Sequence, residues 1–138
     1  MADTLPDPVD EAVELVQYLL DLTDHGASAG DELPSTWKPS SPPFVLVAID
    51  LVDGEGTWPV YADCTLRATV FAGGRRRARR IALDLQGLFV AEGSRPPFSR
   101  HRPLTGPLTT RDPALLADVA SITARSTLRT VPLELAGS

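Results

Sequence analysis

VYADCTLRATVFAGGRRRARRIALDLQGLFVA, Val60 to Ala91, decides the fold class because its hydrophobic period changes halfway along. Val60, Ala62, Cys64, Leu66, Ala68, Val70 and Ala72 alternate with Tyr61, Asp63, Thr65, Arg67, Thr69 and Phe71. A period of two over this length predicts a strand with one face on a core and the other largely solvated. After Gly73-Gly74 the spacing becomes i, i+3, i+4, i+7. Ala78, Ile81, Ala82, Leu85, Leu88 and Phe89 then share one face of a helix. Arg75, Arg76, Arg77, Arg79 and Arg80 fill the remaining face, with Arg80 one turn from Asp84. Gly87 inside the helix costs about 1 kcal/mol relative to alanine, so packing has to hold this helix. A positive φ at Gly73-Gly74 is expected to make the strand-to-helix turn.

Working towards the N-terminus, DGEGTWP (53–59) is a hairpin-like connection carrying Trp58. FVLVAIDL (44–51) is a short, nearly continuous apolar run, expected as the antiparallel neighbour of the long strand. GASAGDELPSTWKPSSPP (26–43) has a loop's composition, with Trp37 in its middle as a candidate contact residue. Asp7-Pro8 opens the first helix as cap and first-turn proline, and Val9, Ala12, Val13, Val16, Leu19 and Leu20 give it an apolar stripe that Leu15 and Leu22 widen. His25-Gly26 supplies the stop, and His25 reads as a helix-end residue.

Towards the C-terminus, EGSRPPFSRHRPLTGPLTT (92–110) reads as irregular and basic, with Arg95, Arg100, His101 and Arg102. Asp112-Pro113 repeats the cap-and-proline signal, which predicts a short helical turn over 113–119. Residues 122–135 alternate, and Pro132 suggests an edge strand with a bulge. The expected fold is therefore α+β. It has a small mixed or antiparallel sheet (strands near 44–51, 60–72 and 122–135) with two helices (near 8–24 and 75–91) packed on it. One domain spans 1–138, with a flexible tail at 1–6 and long loops at 26–43 and 92–111.

Charge is unevenly spread. Residues 1–63 carry thirteen carboxylates against Lys38, whereas residues 64–138 carry twelve arginines against five carboxylates. A subunit with an acidic and a basic half can pair head to tail with its own copies; the alternative is that the halves neutralise each other within one chain. The motifs of metal, acyl-transfer and phosphate chemistry do not occur: there is no His-x-His, Cys-x-x-Cys, Glu-x-x-His, G-x-S-x-G or P-loop spacing. Glu11, Glu14, Asp21 and Asp24 mark a solvated helix edge, and Cys64, the single cysteine, falls on the buried face. No catalysis and no cofactor are expected. With no 18-residue apolar run and an acidic N-terminus, a soluble chain of the cell interior is expected.

GGRRRARR (73–80) is the one functional-looking motif, readable as a backbone-phosphate contact, a solvated face or an oligomer interface in which arginine is enriched. The net charge of −5 and the lack of interleaved aromatics disfavour a dedicated nucleic-acid binder.

Four stretches together resemble the tail terminator, or tail completion, proteins of long-tailed bacteriophages. They are VQYLLDLTDHG (16–26), PFVLVAIDL (43–51), the unit CTLRATVFAGGRRRARRIALDLQGLFVA (64–91), and ITARSTLRTVPLEL (122–135) after TGPLTTRDP (105–113). The resemblance covers nearly the whole chain and is one of pattern. It implies a virion structural protein that closes into a ring, usually a hexamer, on the head-proximal end of the tail tube. There it would end tube growth and join the tail tube protein to the head–tail connector, with DNA passing through unspecifically. It implies assembly in the bacterial cytoplasm without a membrane. Trp37, Trp58, Arg75, Arg76, Arg77, Arg79, Arg80, Arg100 and Arg102 become candidate interface residues. The other readings are a holdase whose strand ALDLQGLFVAEGS (82–94) loosely resembles that of the export chaperone SecB, a nucleic-acid accessory protein, and another neck or interaction protein.

Overall fold

A computed structural model describes residues 3–4, 8–51, 61–93, 98–129 and 131–132. In chain order the elements are β1 (Asp3–Thr4), α1 (Pro8–Asp21), β2 (Ser28–Gly30), β3 (Phe44–Leu51), β4 (Tyr61–Ala72), α2 (Arg75–Glu92), β5 (Phe98–Asp112), β6 (Ala117–Arg129) and β7 (Val131–Pro132). Five strands form one mixed sheet in the order β2-β3-β4-β6-β5. Only β2–β3 is parallel; the other pairs are antiparallel. The backbone of Asp3–Thr4, expected within a frayed tail, pairs with Val131–Pro132. The fold is α+β.

Both helices cover the same face of this sheet. Cys64, Leu66, Ala68, Val70 and Ala72 of β4 meet Val45 and Val47 of β3 and Ala120, Ile122 and Leu128 of β6 beneath them. Above lie Ala12, Leu15, Val16, Leu19 and Leu20 of α1, and Ala78, Ile81, Ala82, Leu85 and Phe89 of α2. The alternation of 60–72 and the spacing of 75–91 thus produce the same layer, as the sequence pattern requires. Leu15 joins the core, while Leu22, placed by its spacing in the same stripe, is 52% exposed beyond the end of α1. Asp7 lies outside the described residues.

Several expectations need correction. The stretch 92–111 is not a loop, because Phe98–Asp112 is a fifteen-residue strand. Its prolines and bulges hid it. Register shifts fall between Ser99 and Arg102, Pro103 and Thr105, and Thr105 and Leu108, so no single alternation survives. Prolines are tolerated there because β5 is the sheet's edge strand. Gly106 is needed where β5 crosses β6. Its φ is +126°, and a Cβ there would stand 2.6 Å from the Ile122 Cγ2.

The second correction concerns the strand expected at 122–135 as an edge. It runs instead from Ala117 to Arg129 and lies inside the sheet, between β4 and β5. The third concerns the helical turn over 113–119, which is a simple turn at 113–116. Asp112 does cap it, its Oδ1 accepting from the backbone N–H groups of Ala114 (2.9 Å) and Leu115 (3.1 Å). The loop 26–43 also contains β2, which pairs with the first three residues of β3.

The strand-to-helix turn does fall at Gly73-Gly74, but neither residue uses positive φ. Gly74, the residue before α2, is extended (φ 177°), and a Cβ there would meet open space. Gly73 is the constrained one: a Cβ would stand 2.2 Å from the Pro39 carbonyl oxygen.

Candidate interaction surface

Strand register sorts the polar side chains onto two faces. Across the sheet face away from the helices, Leu46, Thr69, Ser121 and Leu108 form one row, and Ala48, Arg67, Thr123 and Thr105 the next. Asp50, Thr65, Arg125 and Arg102 form a third. Arg125 reaches Asp63 at 3.7 Å, and the Thr127 hydroxyl donates to the Asp63 carboxylate at 3.3 Å. One end of this face is closed by the 26–43 segment.

Trp37 makes that closure. It is only 7% exposed, clustered with Phe44, Phe71, Ala117 and Val119. Its ring meets Phe71 edge-on at 5.8 Å, and its indole N–H donates to the Pro42 carbonyl at 2.9 Å. Trp37 is therefore a core residue of a second, smaller cluster, and its ring is not presented to a partner. Trp58 lies outside the described residues, as does the side chain of Arg100.

The five arginines of α2 are all exposed on the helical layer. Arg75 donates to the Thr109 hydroxyl at 3.2 Å, tying the start of α2 to β5. Arg77 donates to the His25 carbonyl at 3.3 Å. Arg80 meets the Asp84 carboxylate at 2.8 Å, the pairing its spacing predicts. Arg76 and Arg79 have no hydrogen bond or ion pair among the described residues. Arg102 shares a face with Arg125, so it lies across the sheet from the α2 cluster. The sequence-predicted basic residues thus form two separate surfaces.

The sequence did not show the role of His25. Its Nε2 lies 2.7 Å from an Asp84 oxygen, joining the loop after α1 to the middle of α2. Partial burial pushes the Asp84 carboxyl upward, but hydrogen bonds from His25 and Arg80 outweigh this and hold it below the usual carboxylate range. His101 was read as part of a basic loop. Its ring instead lies between Phe89 and Phe98, donating from Nε2 to the Gly93 carbonyl at 2.5 Å and accepting at Nδ1 from the Ser126 hydroxyl at 2.6 Å. Burial lowers its pKa, partly opposed by the Gly93 carbonyl.

Acidic and basic groups concentrate on different elements and meet at the α1–α2 junction, where Asp24, Arg80 and Asp84 line one groove and Arg77 donates to the His25 carbonyl. Asp10, Glu14, Asp21 and Asp24 on and just after α1, with Asp31 and Glu32 after β2, are exposed at the β2–β3 side. The exposed arginines of α2 and β5 lie over and beside β4, β6 and β5. Arg80, Arg111 and Arg125 pair with Asp84, Asp118 and Asp63. Glu14 and Asp24 form no ion pair among the described residues.

Among the described residues no group of three or more His, Cys, Asp or Glu side chains is placed to hold a metal ion, and no described helix is long and apolar enough to cross a membrane. The sequence matches no protein-family model and no curated protein.

Proposed function

We propose that this chain is a non-catalytic assembly subunit that closes with further copies into a ring, in the manner of a phage tail terminator. The observation that carries the ring is the charge partition: exposed carboxylates gather on and after α1 and after β2, and exposed arginines on α2 and β5. Two different complementary sides give a heterologous contact, which closes into a ring when the rotation permits. The assignment to the head-proximal end of a tail rests on the resemblance in the four sequence stretches. In that role the ring, with six copies as the expected number, ends tube growth and bridges tail tube and head–tail connector while DNA passes through.

The chaperone reading requires residues 75–91 as a strand and a helix over 113–129. Arg75–Glu92 is helical and Ala117–Arg129 is a strand, the reverse of both.

Light scattering of the purified chain at low and moderate salt tests the ring. A discrete multiple of the subunit mass, formed alone or on adding tail tubes, is expected, and salt should weaken it. A monomer inert to tubes at every salt concentration removes the proposal.

A further inference from the structure

Two features of the monomer are costly and unexplained by its own packing, and they complement each other. The first is an open groove between the end of α1 and the middle of α2. Leu22, Leu83, Gly87 and Leu88 line it, with Asp24 and the paired Arg80 and Asp84 at its rim. Leu22 is 52% exposed at its edge. Gly87 weakens α2, yet a Cβ at this position would meet no atom within 4 Å. Among the described residues nothing requires the glycine; its effect is to keep the groove open for close approach to the helix.

The second is the β5–β6 turn. Leu116 stands there with φ +53°, a conformation disfavoured for a leucine, and is 65% exposed. Strain that presents an apolar side chain to solvent is characteristic of a contact point. Beside it, the exposed Arg111 guanidinium donates to the Leu116 carbonyl at 3.2 Å. The turn is an apolar knob with a cation next to it. The groove is an apolar slot whose rim carries the Arg80–Asp84 pair and one carboxylate without an ion pair among the described residues, Asp24.

We infer that Leu116 of one copy seats in the α1–α2 groove of the next, with Arg111 facing the Asp24 side of the rim. The inference rests on the ring reading and names its contact. Knob and groove lie on different elements of the subunit, so the contact is heterologous and each copy offers one of each.

The test uses the full chain. Leu116→Asp removes the knob, and Leu116→Gly removes it while relaxing the backbone. Gly87→Arg fills the groove and repels Arg111. Circular dichroism and melting confirm that each variant is folded. Each variant alone is expected to run at the monomer mass. A one-to-one mixture of Leu116→Asp and Gly87→Arg is expected to double that mass and go no further, because only the groove of the first and the knob of the second remain usable. Rings of wild-type mass from the folded variants would overturn this contact while leaving the ring reading standing. A mixture that stays monomeric would also overturn it. A wild-type chain that is monomeric at every salt concentration, with or without tail tubes, would remove both.

Discussion

His25 Nε2 stands 2.7 Å from the Asp84 carboxylate, and this pair fastens the segment after α1 to the middle of α2. Arg80 approaches the same carboxylate at 2.8 Å from one turn earlier on the helix. The Asp84 pKa is depressed, so its contribution is present above the unfolded value of about 3.9 and lost as pH falls through the lower folded value. Because the carboxylate is a third exposed, solvent screening limits the contribution to about 1 kcal/mol or less. Asp84→Asn should lower the melting temperature slightly at pH 7 and flatten the acid limb of its pH dependence below about pH 4. Melting curves from pH 2.5 to 7 check this, and identical limbs for both proteins would show that the link contributes nothing.

Gly73 and Gly74 should respond unequally to alanine. At Gly73 the new Cβ collides with the Pro39 carbonyl, which belongs to the segment holding Trp37 over Phe71. Gly73→Ala is expected to destabilise by about 1–3 kcal/mol, as overpacking does, and to shift the Trp37 fluorescence. Gly74→Ala, in extended backbone with open space around it, should stay within about 0.5 kcal/mol. Urea titration of both variants separates them; equal midpoints would refute the close approach.

The contrast between β4 and β5 shows what the sequence reveals. β4 is flanked on both sides and buries Cys64, Leu66, Ala68, Val70 and Ala72 on one face, so the apolar residues of that face recur at every second position. α2 lies against that face, and its apolar spacing is equally legible. β5 owes its structure to pairing with β6, a non-local partner, and each bulge resets the phase of its side chains. Pro103, Gly106 and Pro107 therefore looked like loop residues. Trp37 was legible as unusual but not as buried, because Phe71 and Val119, which cover it, come from distant strands. The arginine run was legible as a helix face. Its separation from Arg102 depends on sheet register, which composition does not encode.

His101 should confer a pH dependence of its own. Burial depresses its pKa, so between about pH 6.5 and the lower folded value the unfolded chain binds a proton that the native chain does not. Stability is thus complete above that window and declines as pH falls through it. His101→Phe keeps an aromatic ring between Phe89 and Phe98 but gives up the bonds to Gly93 and Ser126. The variant is expected to lose about 1–3 kcal/mol at pH 7.5, chiefly through the unpaired Gly93 carbonyl, and to show less decline between pH 6.5 and 5. Parallel urea midpoints across that range check it, and an undiminished decline in the variant would exclude His101 as its source.

Cys64 should be chemically silent while the fold is intact. Its thiol is fully buried on the helix side of β4, where Sγ donates weakly to the Ser126 carbonyl at 3.4 Å. Burial, assisted by the Asp63 carboxylate and opposed by Arg125, pushes its pKa up to about 12. At pH 8 the thiolate, which is the reactive form, is then roughly one part in ten thousand, against about a quarter for a free thiol of pKa 8.5. A thiol-specific reagent at pH 8 is therefore expected to label the native chain at least about a thousandfold more slowly than the urea-unfolded chain. Labelling should accelerate with denaturant in step with the loss of secondary structure, since access requires β4 and α2 to separate. Rapid native labelling with an unchanged circular dichroism spectrum would mean that the helical layer does not seal this strand.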